Sequence, residues 1–207
     1  MRMLALILIS AISLASSSAF AATLNVVGGQ LMGASNVLVD GNLYDVQFLD
    51  GNCFDLYNPC DPSIDSMGIS VIFPFASGNI EDGFNSFAVV SLPSQALLDQ
   101  VFLDGVEGLF DSDPSLTNGC VLSSFCRVGT PWNKFASPQI VDYTRAVNRS
   151  ASASFEDGVD QNSIFIGDST GDLPGITWAV WSPVLVPEPG TALLMGLGLA
   201  GLAARRR

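Results

Sequence analysis

The chain has 207 residues, eight basic against twenty acidic side chains, a net charge of −12 and no histidine. Without histidine, Ser-His-Asp and Cys-His nucleophile pairs and His-ligated metal sites are excluded. The negative field repels phosphate backbones and anionic lipid, which argues against nucleic acid as a partner.

At the start of the chain Arg2 precedes an uncharged apolar run from Leu4 to Leu14, then a Ser-rich stretch and the small-x-small triplet Ala19-Phe20-Ala21. That order is the one a secretory signal peptide takes, with an apolar core too short to span a bilayer and small residues that fit the signal peptidase pocket. Residues 1–21 are therefore expected to leave, with cleavage after Ala21 and Ala22 as the neighbouring alternative.

The stretch Gly33 to Cys53 carries the clearest element. Asp40-Gly41 lies between two β-rich runs and accepts the positive φ of a tight hairpin turn, and Tyr44, Val46 and Phe48 alternate with Asp45 and Gln47. Next come two of the four cysteines, Cys53 and Cys60, in a stretch to Ser66 whose Asn, Pro, Asp and Ser content predicts a loop. Met67–Phe75 suggests a strand broken by Pro74, and Phe84–Ser91 another strand.

After Pro93, Ser94 is placed to cap a helix in which Leu97, Leu98, Val101 and Phe102 recur at helical spacing, with Gly105 as its stop. Its apolar face is expected to pack on a sheet. Asp111 and Asp113, with Ser115 and Asn118 nearby, offer oxygen ligands of the kind calcium takes. The full loop pattern is missing, however, because Pro114 intervenes and the twelfth position is Leu122, so a solvated turn is the expectation.

Cys120 and Cys126 form the second close pair. In an oxidising compartment the two pairs most simply close two local loops, although four cysteines admit three connectivities. The rival, a four-thiolate zinc site, uses shorter spacings. A Pro-spaced stretch follows through Trp132 to Pro138. Gln139–Phe155 is open between strand and helix, and Asn148-Arg149-Ser150 meets the glycosylation acceptor rule, a three-residue pattern that often arises by chance. Arg145 and Arg149 stand ready to balance nearby acids. Glu156, Asp157, Asp160, Asp168 and Asp172 fall in a Gly- and Ser-rich segment predicted as loop. Last, Ile176, Trp178 and Val180 alternate with Thr177, Ala179 and Trp181 in a final strand, where core packing is the more frequent fate of tryptophan than sugar stacking.

Strands of mixed length around one helix predict an α+β fold, a single domain with an antiparallel β-rich sheet and one main helix, with a β-sandwich as the alternative. Between Ala22 and Pro187 four basic residues, Arg127, Lys134, Arg145 and Arg149, face nineteen acids.

The chain closes with Val186-Pro187-Glu188-Pro189-Gly190, an uncharged run from Thr191 to Ala204, and Arg205-Arg206-Arg207. Pro187 and Pro189 break whatever precedes them. The run that follows, as a transmembrane helix of about 21 Å, is a marginal anchor against roughly 30 Å of hydrocarbon. The three arginines favour the cytoplasmic side. These parts, in this order, resemble the PEP-CTERM sorting signal. The resemblance implies recognition by an exosortase, a membrane-embedded Cys-dependent transpeptidase, with cleavage near Pro187–Pro189. It also implies delivery to the cell envelope or extracellular matrix of a Gram-negative bacterium that makes exopolysaccharide. The segment around the Asp40-Gly41 hairpin is similar to one near the start of some PEP-CTERM proteins.

The organisation expected is a signal peptide over 1–21, an exported domain over 22–185 and a sorting signal over 186–207 that holds the protein at the inner membrane until it is processed. The function expected is non-enzymatic, structural or exopolysaccharide-associated, with no cofactor. A carboxylate-dependent polysaccharide hydrolase and a calcium-dependent adhesive module are the alternatives. No carboxylate pair is marked by a motif, so no catalytic residue is assigned.

Overall fold

The computed structural model describes residues 21–57, 60, 75, 87–135 and 139–185. Residues 1–20, the strand expected around 67–74 and the sorting signal at 186–207 lie outside the described residues. Among the described residues no helix is long and apolar enough to cross a membrane.

Strands β1 (Thr23–Val27), β2 (Gln30–Val39) and β3 (Asn42–Leu49) form an antiparallel meander. Asp40 and Gly41 both take positive φ, 47° and 79°, at the β2–β3 turn, as the sequence predicts. This mirror-image turn matches the right-handed twist of the strands it joins. Val46 and Phe48 are buried while Gln47 is exposed.

The predicted loop after β3 opens instead with a single helical turn, α1 (Cys53–Leu56). Its start is fixed by Asn52, whose side chain accepts from the Asp55 amide at 2.8 Å.

The strand expected over 84–91 is overturned. Phe87–Val90 is a helical turn, α2, and α3 (Leu92–Gln100) follows through Ser91. The Ser91 amide bonds the Phe87 carbonyl at 3.0 Å and the Gln95 amide bonds the Ser91 carbonyl at 2.9 Å. Burial overrides the strand preference of the Val-Val pair: Val90 is fully buried, and its carbonyl accepts from the Thr144 hydroxyl at 3.0 Å. Pro93 sits in the first turn, where its missing N–H costs nothing. Ser94 is not the cap. It lies inside α3, buried, with its hydroxyl 3.0 Å from that of Thr144. The helix also stops short of Gly105, which belongs to a two-stranded finger of β4 (Asp104–Gly105) and β5 (Gly108–Leu109).

Strand β6 (Phe125–Phe135) runs into the Pro-spaced stretch, to which the sequence assigns no element. Proline is tolerated because pairing with the final strand covers only Arg127 to Gly129. Pro131 therefore has a neighbour on one side alone, and a bulge follows it. β7 (Ile140–Arg149) settles the ambiguous segment as strand, and β8 (Gly158–Phe165) takes Asp160 out of the predicted acidic loop, while Glu156, Asp157 and Asp168 lie outside any strand or helix and Asp172 ends a 3₁₀ turn. The final strand is β9 (Ile176–Pro183), as expected.

The sheet order is β1-β2-β3-β9-β6-β7-β8. β6 and β9 are parallel and every other pair is antiparallel. The sheet is thus mixed, where an antiparallel one was expected. It is one sheet with a helix on its face, an α+β arrangement, and the sandwich alternative does not hold.

Helix α3 buries Leu97 and Val101, and Phe102 just beyond it, against Val37, Phe48, Val128, Ala146 and Trp181 on one face of the sheet. Phe48 and Phe102 stack at 5.6 Å. Each such side chain contributes about 1.5–3 kcal/mol when fully buried. The opposite face packs Val141, Tyr143, Ile176 and Trp178 under Cys53, Tyr57 and Cys60. β9 is therefore buried from both sides, bonded to β3 along one edge and to β6 over Ile176–Trp178 on the other.

Candidate functional site

The cysteines pair as expected, Cys53 with Cys60 and Cys120 with Cys126, each with a Cα–Cα distance of 5.7 Å. Both loops brace the two faces of the core, since all four cysteines are buried.

The Cys120–Cys126 loop also forms one wall of a cavity of about 360 Å³ lined by Gln30, Asp50, Gly119, Val121, Asp172 and Pro174 among others. Val121 donates its amide to the Pro174 carbonyl at 3.0 Å, and Arg127 donates its own to Gly175 at 3.0 Å, which laces the loop to the segment entering β9. Asp50, just past β3, is one of the lining residues and is exposed. Its Oδ1 accepts from the Thr170 hydroxyl at 3.1 Å. Gly119, with φ +84°, lies so close that an added Cβ would stand 2.6 Å from Asp50 Oδ1 and 2.5 Å from Thr177 Oγ1. Partial withdrawal from water pushes the Asp50 carboxyl up, against the pull of the Thr170 and Thr177 hydroxyls. Asp172, at the end of a 3₁₀ turn over Thr170–Asp172, is exposed at the rim. Asp172 was among the acids named from the sequence and Asp50 was not. An aspartate after a strand looks like any turn residue, and the two are brought together only by the fold.

The acids that composition did single out are used locally. Asp113 accepts from the Ser115 amide at 3.2 Å and the Ser115 hydroxyl at 2.6 Å, capping a 3₁₀ turn over Pro114–Leu116. Asp104 accepts from the amides of Asp111 and Ser112 at 3.0 Å each, and from the Ser112 hydroxyl. The Ser112 side chain first, then these amides, hold its carboxyl below the usual range. Asp111 is pushed up by burial and by the neighbouring charges of Asp157 and Asp104. Asp160 forms a two-pronged ion pair with Arg145 at 2.6 and 2.7 Å across β7 and β8. Arg149 donates to the Glu156 carbonyl, and its amide bonds Asp157 at 2.7 Å. Arg145 thus balances an acid as expected, whereas the Arg149 guanidinium holds a backbone carbonyl. Among the described residues no group of three or more acidic or cysteine side chains is placed to hold a metal ion.

Trp178 and Trp181 are both core residues. Trp178 donates to the Gly51 carbonyl at 3.0 Å and Trp181 to the Thr130 hydroxyl at 3.1 Å. Trp132 is half-buried with its Nε1 shielded from solvent. Asn148 is fully buried, and its amide donates to the Phe110 carbonyl at 2.6 Å. The glycosylation pattern there is unreachable in the folded protein.

The chain leaves the sheet at the opposite end from the cavity. Pro183 pairs with Tyr44, and the Val184 amide bonds the Leu43 carbonyl at 2.9 Å. Leu185 then projects into solvent, 91% exposed. Because β1 runs antiparallel to β2, Ala22 also points toward that end.

No curated protein and no solved structure matches the chain. Its last residues do match a family model: residues 185–207, which begin where the β9 segment lets go of the sheet, carry the PEP-CTERM protein-sorting motif, the mark of an exported protein sorted by an exosortase.

Proposed function

We propose that this is a non-enzymatic protein of the cell envelope or extracellular matrix of a Gram-negative bacterium, associated with exopolysaccharide. In this reading residues 1–21 are a signal peptide removed by signal peptidase, and the domain from Ala22 is held at the inner membrane by its C-terminal helix. An exosortase then cuts near Pro187–Pro189. Arg205, Arg206 and Arg207 keep the tail's end on the cytoplasmic side until the cut. The carrying observation is the sorting motif joined directly to a disulfide-braced, strongly acidic domain. Two local disulfides suit an oxidising compartment. Replacing Pro187 and Pro189 by Ala should leave uncut protein in the membrane fraction, detected as a longer species on a blot. Normal processing of that variant would contradict the reading.

One observation favours a second reading, a carboxylate-dependent polysaccharide hydrolase. The cavity lined by Asp172 is also lined by Asp50, whose carboxyl is raised by partial withdrawal from water, the direction a general acid needs. Reducing-end release from exopolysaccharide that disappears in Asp50→Asn would support it. The absence of any such release from the intact protein would end it.

A further inference from the structure

Resting on the sorting reading, we infer that the sheet end around Leu38, Leu43 and Leu185 is the surface on which the membrane-embedded sorting enzyme docks, with the Asp50 cavity directed away from the membrane. The last tie to the sheet is the Val184 amide on the Leu43 carbonyl. Only Leu185 and Val186 separate it from Pro187. Three residues fully extended reach about 10–11 Å. A transpeptidase must hold extended chain on both sides of the bond it cuts, so at this reach it cannot grip the tail without meeting the domain.

The alternative, drawing β9 out to lengthen the tail, is resisted by the topology. β9 is bonded to β3 from Tyr44 to Leu49 on one edge and, at its start from Ile176 to Trp178, to β6 on the other, and Trp178, Ala179 and Trp181 are buried along it. The docking end carries apolar surface suited to a protein partner, with Leu38 43% and Leu185 91% exposed. Leu38 pairs with Leu43, which places it one strand from the exit. At the other end β3 delivers Asp50 one strand length away, about 26 Å for eight residues.

A photo-cross-linking residue at Leu38, compared with one at Val27, tests this in cells that process the protein. Both positions are exposed and apolar, and Val27 adjoins the Gly28-Gly29 turn at the far end of the sheet. Adducts with the sorting enzyme are expected from Leu38 and not from Val27. A flexible Gly/Ser insertion of about twelve residues between Val184 and Leu185 should lower the Leu38 adduct roughly tenfold while cleavage continues, because the effective concentration of the two surfaces falls. Equal labelling from both positions, adducts with lipid alone, or no adduct despite normal cleavage would overturn the docking surface. If the wild-type chain is never cut, it is the sorting reading that fails.

Discussion

Tyr57 ties the first disulfide loop to the centre of the sheet. Its ring meets Trp178 edge-on at 5.9 Å, and its hydroxyl donates to the Ala179 carbonyl at 2.8 Å. Complete burial pushes the phenol well above 10, and burial raises Tyr143 as well. In the unfolded chain these groups ionise near 10, so above that pH the native state binds more protons than the unfolded one and stability falls as pH rises. The stabilising contribution is full below pH 10. An absorbance titration at the tyrosinate band should therefore show Tyr57 and Tyr143 ionising together with the unfolding transition measured by circular dichroism. Ionisation of Tyr57 and Tyr143 near pH 10 with the fold intact would refute this packing. None of this was legible in the sequence, where Tyr57 stands among Asn and Pro residues that signal a loop.

Elements were legible where local preference and burial agree. The Asp40-Gly41 hairpin, the apolar stripe of α3 and the alternation of β9 each carry their period in the sequence, and each is present. The misses came where tertiary context decided. β6 accommodates Pro131 only because β9 has already left its flank, and β8, an edge strand of Gly, Asp, Gln, Asn and Ser, is held by pairing with β7 and by the Arg145–Asp160 ion pair. α2 contains a Val-Val pair that prefers strand, yet it packs as a helical turn because Val90 finds the core. The second disulfide joins such elements at the cavity wall. Replacing Cys120 and Cys126 together by Ala should cost about 2 kcal/mol through the freed loop of the unfolded chain. That corresponds to a fall in Tm of roughly 4–8 °C for a domain of this size. An unchanged Tm in calorimetry under non-reducing conditions would show that the loop is held by its backbone bonds to Pro174 and Gly175 alone.

At the scale of the whole molecule the chain's sorting is legible in its C-terminal motif, and its chemistry is not legible in the domain before it. The sorting motif was legible because Pro-Glu-Pro, an apolar run and terminal arginines need no fold to be recognised. The Asp50 cavity was invisible because it joins residues more than 100 positions apart. What ties the two together is β9, a central strand whose first residues border the cavity wall and whose last residue hands the chain to the sorting motif. Mass spectrometry of both termini of the protein, isolated from the cells that make it, tests the account most directly. The account predicts a chain that starts at Ala22, carries two disulfides and ends between Pro187 and Pro189. A chain that runs intact from Met1 to Arg207 with free thiols would contradict it.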